Sequence, residues 1–131
     1  MKKIKISSKV EELLKIEKLV DEISEKTNIN SDIYANILVG VTEAVNNSIV
    51  HGNKLDKSKF VDIQYSISDK FVQFIITDEG QGFDYHKVPD PTLPENIELE
   101  EGRGIFLMNC LADEVIFNDK GNEVSLKFFL A

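Results

Sequence analysis

Between Val61 and Ile76 the chain alternates: Val61, Ile63, Tyr65 and Ile67 share one parity, Val72, Phe74 and Ile76 repeat it, and Ser68-Asp69-Lys70 separates them. A period of two places each set of apolar side chains on one face of a strand. Two such runs joined by a short polar turn form an antiparallel hairpin. A sheet with one apolar face must bury it against another layer. The rest of the chain must therefore supply helices to one side of this hairpin. The second strand then runs into "DEGQGF", residues 78–83, so two acids and a pair of glycines follow the end of a buried strand.

The remaining segments provide that cover. "KKIKIS", residues 2–7, alternates and predicts a short first strand. Ser8 and Glu11 have capping-box spacing, which predicts a helix start there. Val10, Leu13, Leu14, Leu19, Val20 and Ile23 recur at helical spacing, and "TNINSD", residues 27–32, breaks the pattern. A second helix follows through Tyr34, Ile37, Leu38, Val41, Val45 and Ile49, with Gly52 expected in the left-handed position that ends it. "GIFLMNCLADEV" predicts a short apolar third helix, with Cys110 as a small core residue, and "EVIFN", "DKGN" and "EVSLKFFL" predict a final hairpin. The order β-α-α-β-β-α-β-β favours an α/β two-layer sandwich of the α+β kind, with a mixed, mainly antiparallel sheet and helices on one face. At 131 residues and 42% hydrophobic content, residues 1–131 are expected to form a single domain.

A net charge of −8 argues against a nucleic-acid or anionic-membrane surface, because phosphate backbones are held by clustered lysines and arginines. Cys110 is the only cysteine, which rules out an internal disulfide and leaves a structural zinc site or redox pair without ligands. That usage fits the cytoplasm. Acids and polar residues interrupt "MKKIKISSKVEELL" before any stretch long enough for a signal peptide or membrane span.

Four features stand outside the core pattern: Glu43 with Asn47, Asp78, the pair Gly80 and Gly82, and the pair Gly102 and Gly104 opening the third helix. Glu43 and Asn47 are i and i+4, one above the other on a helix face. Taken singly each has an ordinary reading, as a surface pair, a turn aspartate or tight turns. Familiar phosphate motifs do not explain them. "EGRGIFL" has Leu107 where a dinucleotide fingerprint needs its third glycine, and the chain contains no G-x-x-x-x-G-K-[ST]. A carboxylate fixed at a strand end, however, accepts from an exocyclic amino group and so tells adenine from guanine, which carries a carbonyl there. Gly80 and Gly82 let backbone approach the ring without an intervening Cβ.

In order, Glu43-x-x-x-Asn47, Asp78-x-Gly80-x-Gly82 and Gly102-x-Gly104 resemble the N, G1 and G2 boxes of the ATPase superfamily that contains gyrase, MutL and histidine kinases. Within it, "EAVNNSIVHGN" (43–53), "DEGQGFD" (78–84) and "GRGIFLMNCLADEV" (102–115) most resemble the small bacterial anti-sigma factor serine/threonine kinases. The resemblance implies a Bergerat-type ATP-binding fold, ATP and Mg²⁺ as ligands, and a kinase that phosphorylates an anti-anti-sigma antagonist and sequesters a sigma factor. It further implies a homodimer. By position, Asn47 holds Mg²⁺ and Glu43 acts as the catalytic base. Asp78, Gly80, Gly82, Gly102, Arg103 and Gly104 join Asn47 in binding nucleotide. His51, at the "HG" of the same helix, is expected to cap or pack, and Asn46 points about 100° away from Asn47 on a helix.

This chain departs from the pattern at two places. Asn122 follows Gly121 where relatives often carry threonine, and Glu100-Glu101 precede Gly102 where many of the kinases carry a basic residue. Acids beside a γ-phosphate repel it unless they face away. That keeps open a second reading, a nucleotide-gated partner-binding module with little or no kinase activity. A detached histidine-kinase catalytic domain is a third, disfavoured because no helix with a phosphoacceptor histidine precedes the boxes. Residues 83–101 hold all the prolines and no sustained periodicity, and a loop of that length predicts a lid, mobile without nucleotide.

Overall fold

The computed structural model describes residues 1–82 and 100–130. Its elements follow the expected order: β1 (Lys2–Ser7), α1 (Leu13–Thr27), α2 (Ser31–Asn47), β2 (Phe60–Ile67), β3 (Phe71–Thr77), α3 (Glu100–Leu111), β4 (Glu114–Phe117) and β5 (Glu123–Phe129). The strands form one five-stranded sheet in the order β1-β2-β3-β5-β4, and every described pair is antiparallel.

The parity read from the sequence sets the faces. Val61, Ile63, Val72, Phe74, Ile76, Val124, Leu126 and Phe128 are buried under the helices. The opposite parity carries polar contacts, with Gln73 donating to Ser125 Oγ at 2.9 Å and Thr77 to Glu123 at 2.8 Å. Helix α2 is the central element, packed against α1, α3 and the sheet. It comes close at Gly40, where an added Cβ would lie 3.0 Å from Phe128 Cζ. On α1, Ile16, Leu19, Val20 and Ile23 are buried, whereas Val10 and Leu14, expected on the apolar stripe, are exposed. Asn28 closes α1 at a left-handed φ of 52°, and Asn30 caps α2 by accepting from the Ile33 amide at 2.9 Å.

Four local expectations change. Ser8 forms no capping box: its hydroxyl donates to the Lys59 carbonyl at 2.8 Å and accepts from Asn53 Nδ2 at 2.9 Å, while a single 3₁₀ turn (Val10–Glu12) precedes α1. Gly52 is not a left-handed cap. The second helix ends in a π turn (Ser48–Gly52), and the positive φ values fall later, at Lys54 and Leu55. Cys110 is exposed, so it is not a core residue. Helix α3 begins at Glu100, which takes Glu100-Glu101 out of the expected loop. The rest of the expected lid, residues 83–99, lies outside the described residues. Among the described residues no helix is long and apolar enough to cross a membrane.

Candidate functional site

The antiparallel pairing of β3 with β5 brings two chain reversals to one end of the sheet. Thr77 pairs with Glu123, and the Asp78 amide continues the ladder to the Asn122 carbonyl at 2.9 Å. The π turn that ends α2 lies against this point. Its Gly52 and the loop's Gly80 approach so closely that a Cβ on Gly80 would sit 2.2 Å from the Gly52 carbonyl oxygen. A Cβ on Gly52 would fall 2.3 Å from Asp78 Oδ2. Gly52 is thus required by a carboxylate 26 residues further along the chain, a constraint invisible in its local sequence.

Asp78 is 8% exposed. The Gly80 amide donates to its Oδ1 at 2.8 Å. Burial pushes its pKa above the ordinary aspartate value, against the opposing pull of the Gly80 amide, the Ser48 hydroxyl and the Lys120 charge. Gly82 takes a left-handed φ of 82° against the Lys120 carbonyl, which leaves no room for a side chain.

Two asparagines hold this loop from behind. Asn53 is 1% exposed and spends its whole amide on distant segments: Nδ2 donates to Ser8 Oγ at 2.9 Å and the Phe60 carbonyl at 3.0 Å, and Oδ1 accepts from the Glu79 amide at 2.8 Å. The Glu79 carboxylate in turn accepts from the Phe60 amide. Asn122 donates to the Asp78 carbonyl at 3.0 Å and accepts from Asn118 at 2.8 Å. Its amide braces the loop backbone. Sequence reading missed Ser48, Gly52 and Asn53 as site residues, although all lie within the "EAVNNSIVHGN" stretch it singled out.

A cavity opens in front of Asp78. Ala44, Ile76, Ile105, Met108 and Val124 give it apolar walls, and Asp78, Ser48 and Asn122 give it polar groups. A second, more polar cavity is lined by Glu43, Asn46, Asn47, His51, Arg103, Gly104 and Leu107. Asn47 and His51 line both, so the two adjoin at the end of α2. The sequence-selected residues therefore divide: Asp78 and Gly82 at the first cavity with Gly80 buried behind them, Glu43, Arg103 and Gly104 at the second, and Asn47 between. Asn46, expected to point away, also reaches the second cavity. A helix leaves its first amides without intrahelical acceptors, and Gly102 falls within that set in α3. Gly104 lies deeper and makes room for Glu43, whose Oε2 would be 3.3 Å from a Cβ there.

An apolar slot ending in a buried carboxylate, continuous with a polar chamber at a helix N-terminus, suits a flat base with an anionic tail. Comparison with known proteins agrees. Residues 6–128 match the histidine kinase-like ATPase domain. The chain is 33% identical over 115 residues to the serine-protein kinase RsbW of Bacillus licheniformis, covering 82% of this chain and 72% of that one. It is 38% identical over 96 residues to the anti-sigma F factor of Geobacillus kaustophilus, covering 70% and 66%. Its fold matches a crystal structure of the RsbU and RsbW domains of a Mycobacterium tuberculosis protein with a TM-score of 0.60 at 13% identity, over 98% of this chain and 32% of that one. With its boxes in order and its fold shared, the chain belongs to the histidine kinase-like ATPase family.

Proposed function

We propose that the protein is an ATP-dependent serine/threonine protein kinase and anti-sigma factor. It transfers phosphate to a small anti-anti-sigma antagonist and sequesters a sigma factor when that antagonist is absent. The observation that carries this reading is the adjacency of two unlike cavities at the end of α2, one apolar with a buried acceptor and one polar with Glu43 and Arg103. The names of the relatives supply the class of substrate and partner.

In this reading Asp78 accepts from the adenine amino group, with Gly80 and Gly82 keeping the loop free of side chains. The phosphates extend past Asn47 toward the first turn of α3, where Gly102, Arg103 and Gly104 meet them. Asn47 offers the neutral oxygen that a hard cation takes, and Mg²⁺ commonly binds through few protein ligands plus substrate phosphates. The donor set therefore fits Mg²⁺, whose charge offsets that of the phosphates when bound. Glu43 takes the proton of the substrate serine as its oxygen bonds to the γ-phosphorus and the bond to ADP breaks. Arg103 meets the charge on the transferring group. The protein works as a single ATPase domain and a homodimer in the cytoplasm, and its acidic surface leaves it without direct nucleic-acid or membrane contacts.

Incubation with labelled ATP, Mg²⁺ and a small anti-anti-sigma antagonist from the same organism tests this. Label on an antagonist serine, lost in Glu43→Ala, is the expected result. Tight ATP binding without transfer to any serine would replace the kinase reading with a nucleotide-gated binding module, which the acids opening α3 would then explain.

A further inference from the structure

Two asparagine side chains reach the same peptide unit from different elements. The Asp78 carbonyl accepts from Asn122 Nδ2 at 3.0 Å, and the Glu79 N–H across the same peptide bond donates to Asn53 Oδ1 at 2.8 Å. In a planar trans peptide these two groups point in opposite directions, so the bonds grip it from two sides. Each asparagine is itself anchored. Asn53 follows the π turn, where its backbone N–H donates to the Ser48 carbonyl at 2.8 Å, and its Nδ2 is spent on Ser8 just after β1 and on Phe60 at the start of β2. Asn122 precedes β5 and accepts from Asn118 Nδ2, while Asn118 Oδ1 accepts from the amides of Gly121, Asn122 and Glu123. Although Asn122 lines the first cavity, both ends of its side-chain amide are thus engaged within the protein.

A peptide bonded at one end only can rock about the axis joining its two Cα atoms; one bonded at both ends does not. The plane of this peptide sets ψ of Asp78 and φ of Glu79, and hence where the Gly80 amide stands when it donates to Asp78 Oδ1 at 2.8 Å. Gly80 brings no Cβ to restrain that turn itself. We infer that Asn53 and Asn122 are positioning residues for base recognition: together they clamp the Asp78–Glu79 peptide and so hold the Asp78 carboxylate in the orientation it presents to the cavity. This rests on the assignment of Asp78 as the group that reads adenine.

Hydrogen exchange at the Glu79 amide, followed by NMR without nucleotide, tests the clamp itself. Asn122→Ala removes only the bond on the carbonyl side, yet it should speed Glu79 exchange roughly fivefold, about the worth of one hydrogen bond, as Asn53→Ala does directly. Unchanged Glu79 exchange in Asn122→Ala would overturn the two-sided clamp. Calorimetric titration with ATP and GTP, for each variant alone and combined with Asp78→Asn, tests the consequence. Each is expected to weaken ATP roughly fivefold, again one hydrogen bond's worth, to leave GTP unchanged and to add nothing on top of Asp78→Asn. Equal losses for ATP and GTP, or additivity with Asp78→Asn, would make the two asparagines general supports of the fold and overturn their positioning role. If Asp78→Asn itself leaves the preference for ATP over GTP intact, the base-reading assignment fails and the inference falls with it. Glu79 exchange, which needs no nucleotide, keeps that failure apart from failure of the clamp. Asn53 is 1% exposed and ties three segments together, so if Asn53→Ala does not fold, Asn122→Ala, at a partly buried turn position, supplies both readouts.

Discussion

The two ends of the composite cavity are built differently. At the apolar end, proposed above to take the base, Asp78 stands on a strand terminus, and its loop is fixed by Asn53, Asn122 and Gly52, with buried strand residues behind it. At the polar end, proposed above to take the phosphates, Glu43, Asn47, His51 and Arg103 from α2, the π turn and α3 line a more polar chamber. A base is recognised by shape and a few directional bonds, which need rigid groups. A transferring phosphoryl group needs charge and positioning that take effect when substrate is present. Substitutions at the base end should therefore act on affinity and selectivity, and those at the phosphate end on rate.

The largest effect expected is at the phosphate end. Glu43→Ala should lower phosphoryl transfer by roughly 10²- to 10⁴-fold, the usual range for a general base, with ATP affinity unchanged within about twofold. Single-turnover transfer measured beside calorimetry checks this. Loss of ATP affinity in that variant would make Glu43 a structural group and blur the division.

Gly52→Ala comes next, because its Cβ would meet Asp78 Oδ2 at 2.3 Å, inside any tolerated contact. ATP affinity should fall roughly 100-fold, in line with about 3 kcal/mol for a displaced charged acceptor. Wild-type affinity in a folded Gly52→Ala protein would show that Asp78 does not depend on the π turn.

Asp78→Asn should weaken ATP by about tenfold while the thermal midpoint rises or holds. The sign follows from linkage. Burial raises the folded pKa of Asp78 above its unfolded value, so the native state binds more protons between those two values, and stability falls as pH rises through that window. An amide removes this penalty. A lower midpoint in Asp78→Asn would mean that the ionised carboxylate stabilises the fold. Smallest of all, Asn46→Ala should change ATP affinity by less than about twofold if Asn47 alone holds the metal, a limit set by the modest net worth of a neutral hydrogen bond. A loss equal to that of Asn47→Ala would give both asparagines to the phosphate end.

This contrast also explains what was legible in the sequence. Helix and strand periodicity reports burial, so the two hairpins and the three helices follow from apolar spacing, while element order led to a mixed, mainly antiparallel sheet and every described pair is antiparallel. The boxes were legible only together: each has an ordinary reading alone, and their order along the chain is what resembles a known ATPase family. Ser8 and Gly52 misled because local rules assigned them local partners. Their actual partners, Lys59 and Asn53 for Ser8 and Asp78 for Gly52, come together only once the strands have paired. Asn53 was silent for the same reason, since an asparagine after a helix carries no signal of a loop reaching it from a distant strand.

If one continuous site takes adenine at Asp78 and metal-bound phosphates at Asn47, both the base and the metal must change nucleotide affinity. Calorimetric titration of wild type and Asn47→Ala with ATP, GTP and ADP, with and without Mg²⁺, tests it most directly. Wild type should bind adenine nucleotides selectively and with magnesium dependence, and Asn47→Ala should lose that dependence. Binding indifferent to base and metal, or no nucleotide binding at all, would contradict it.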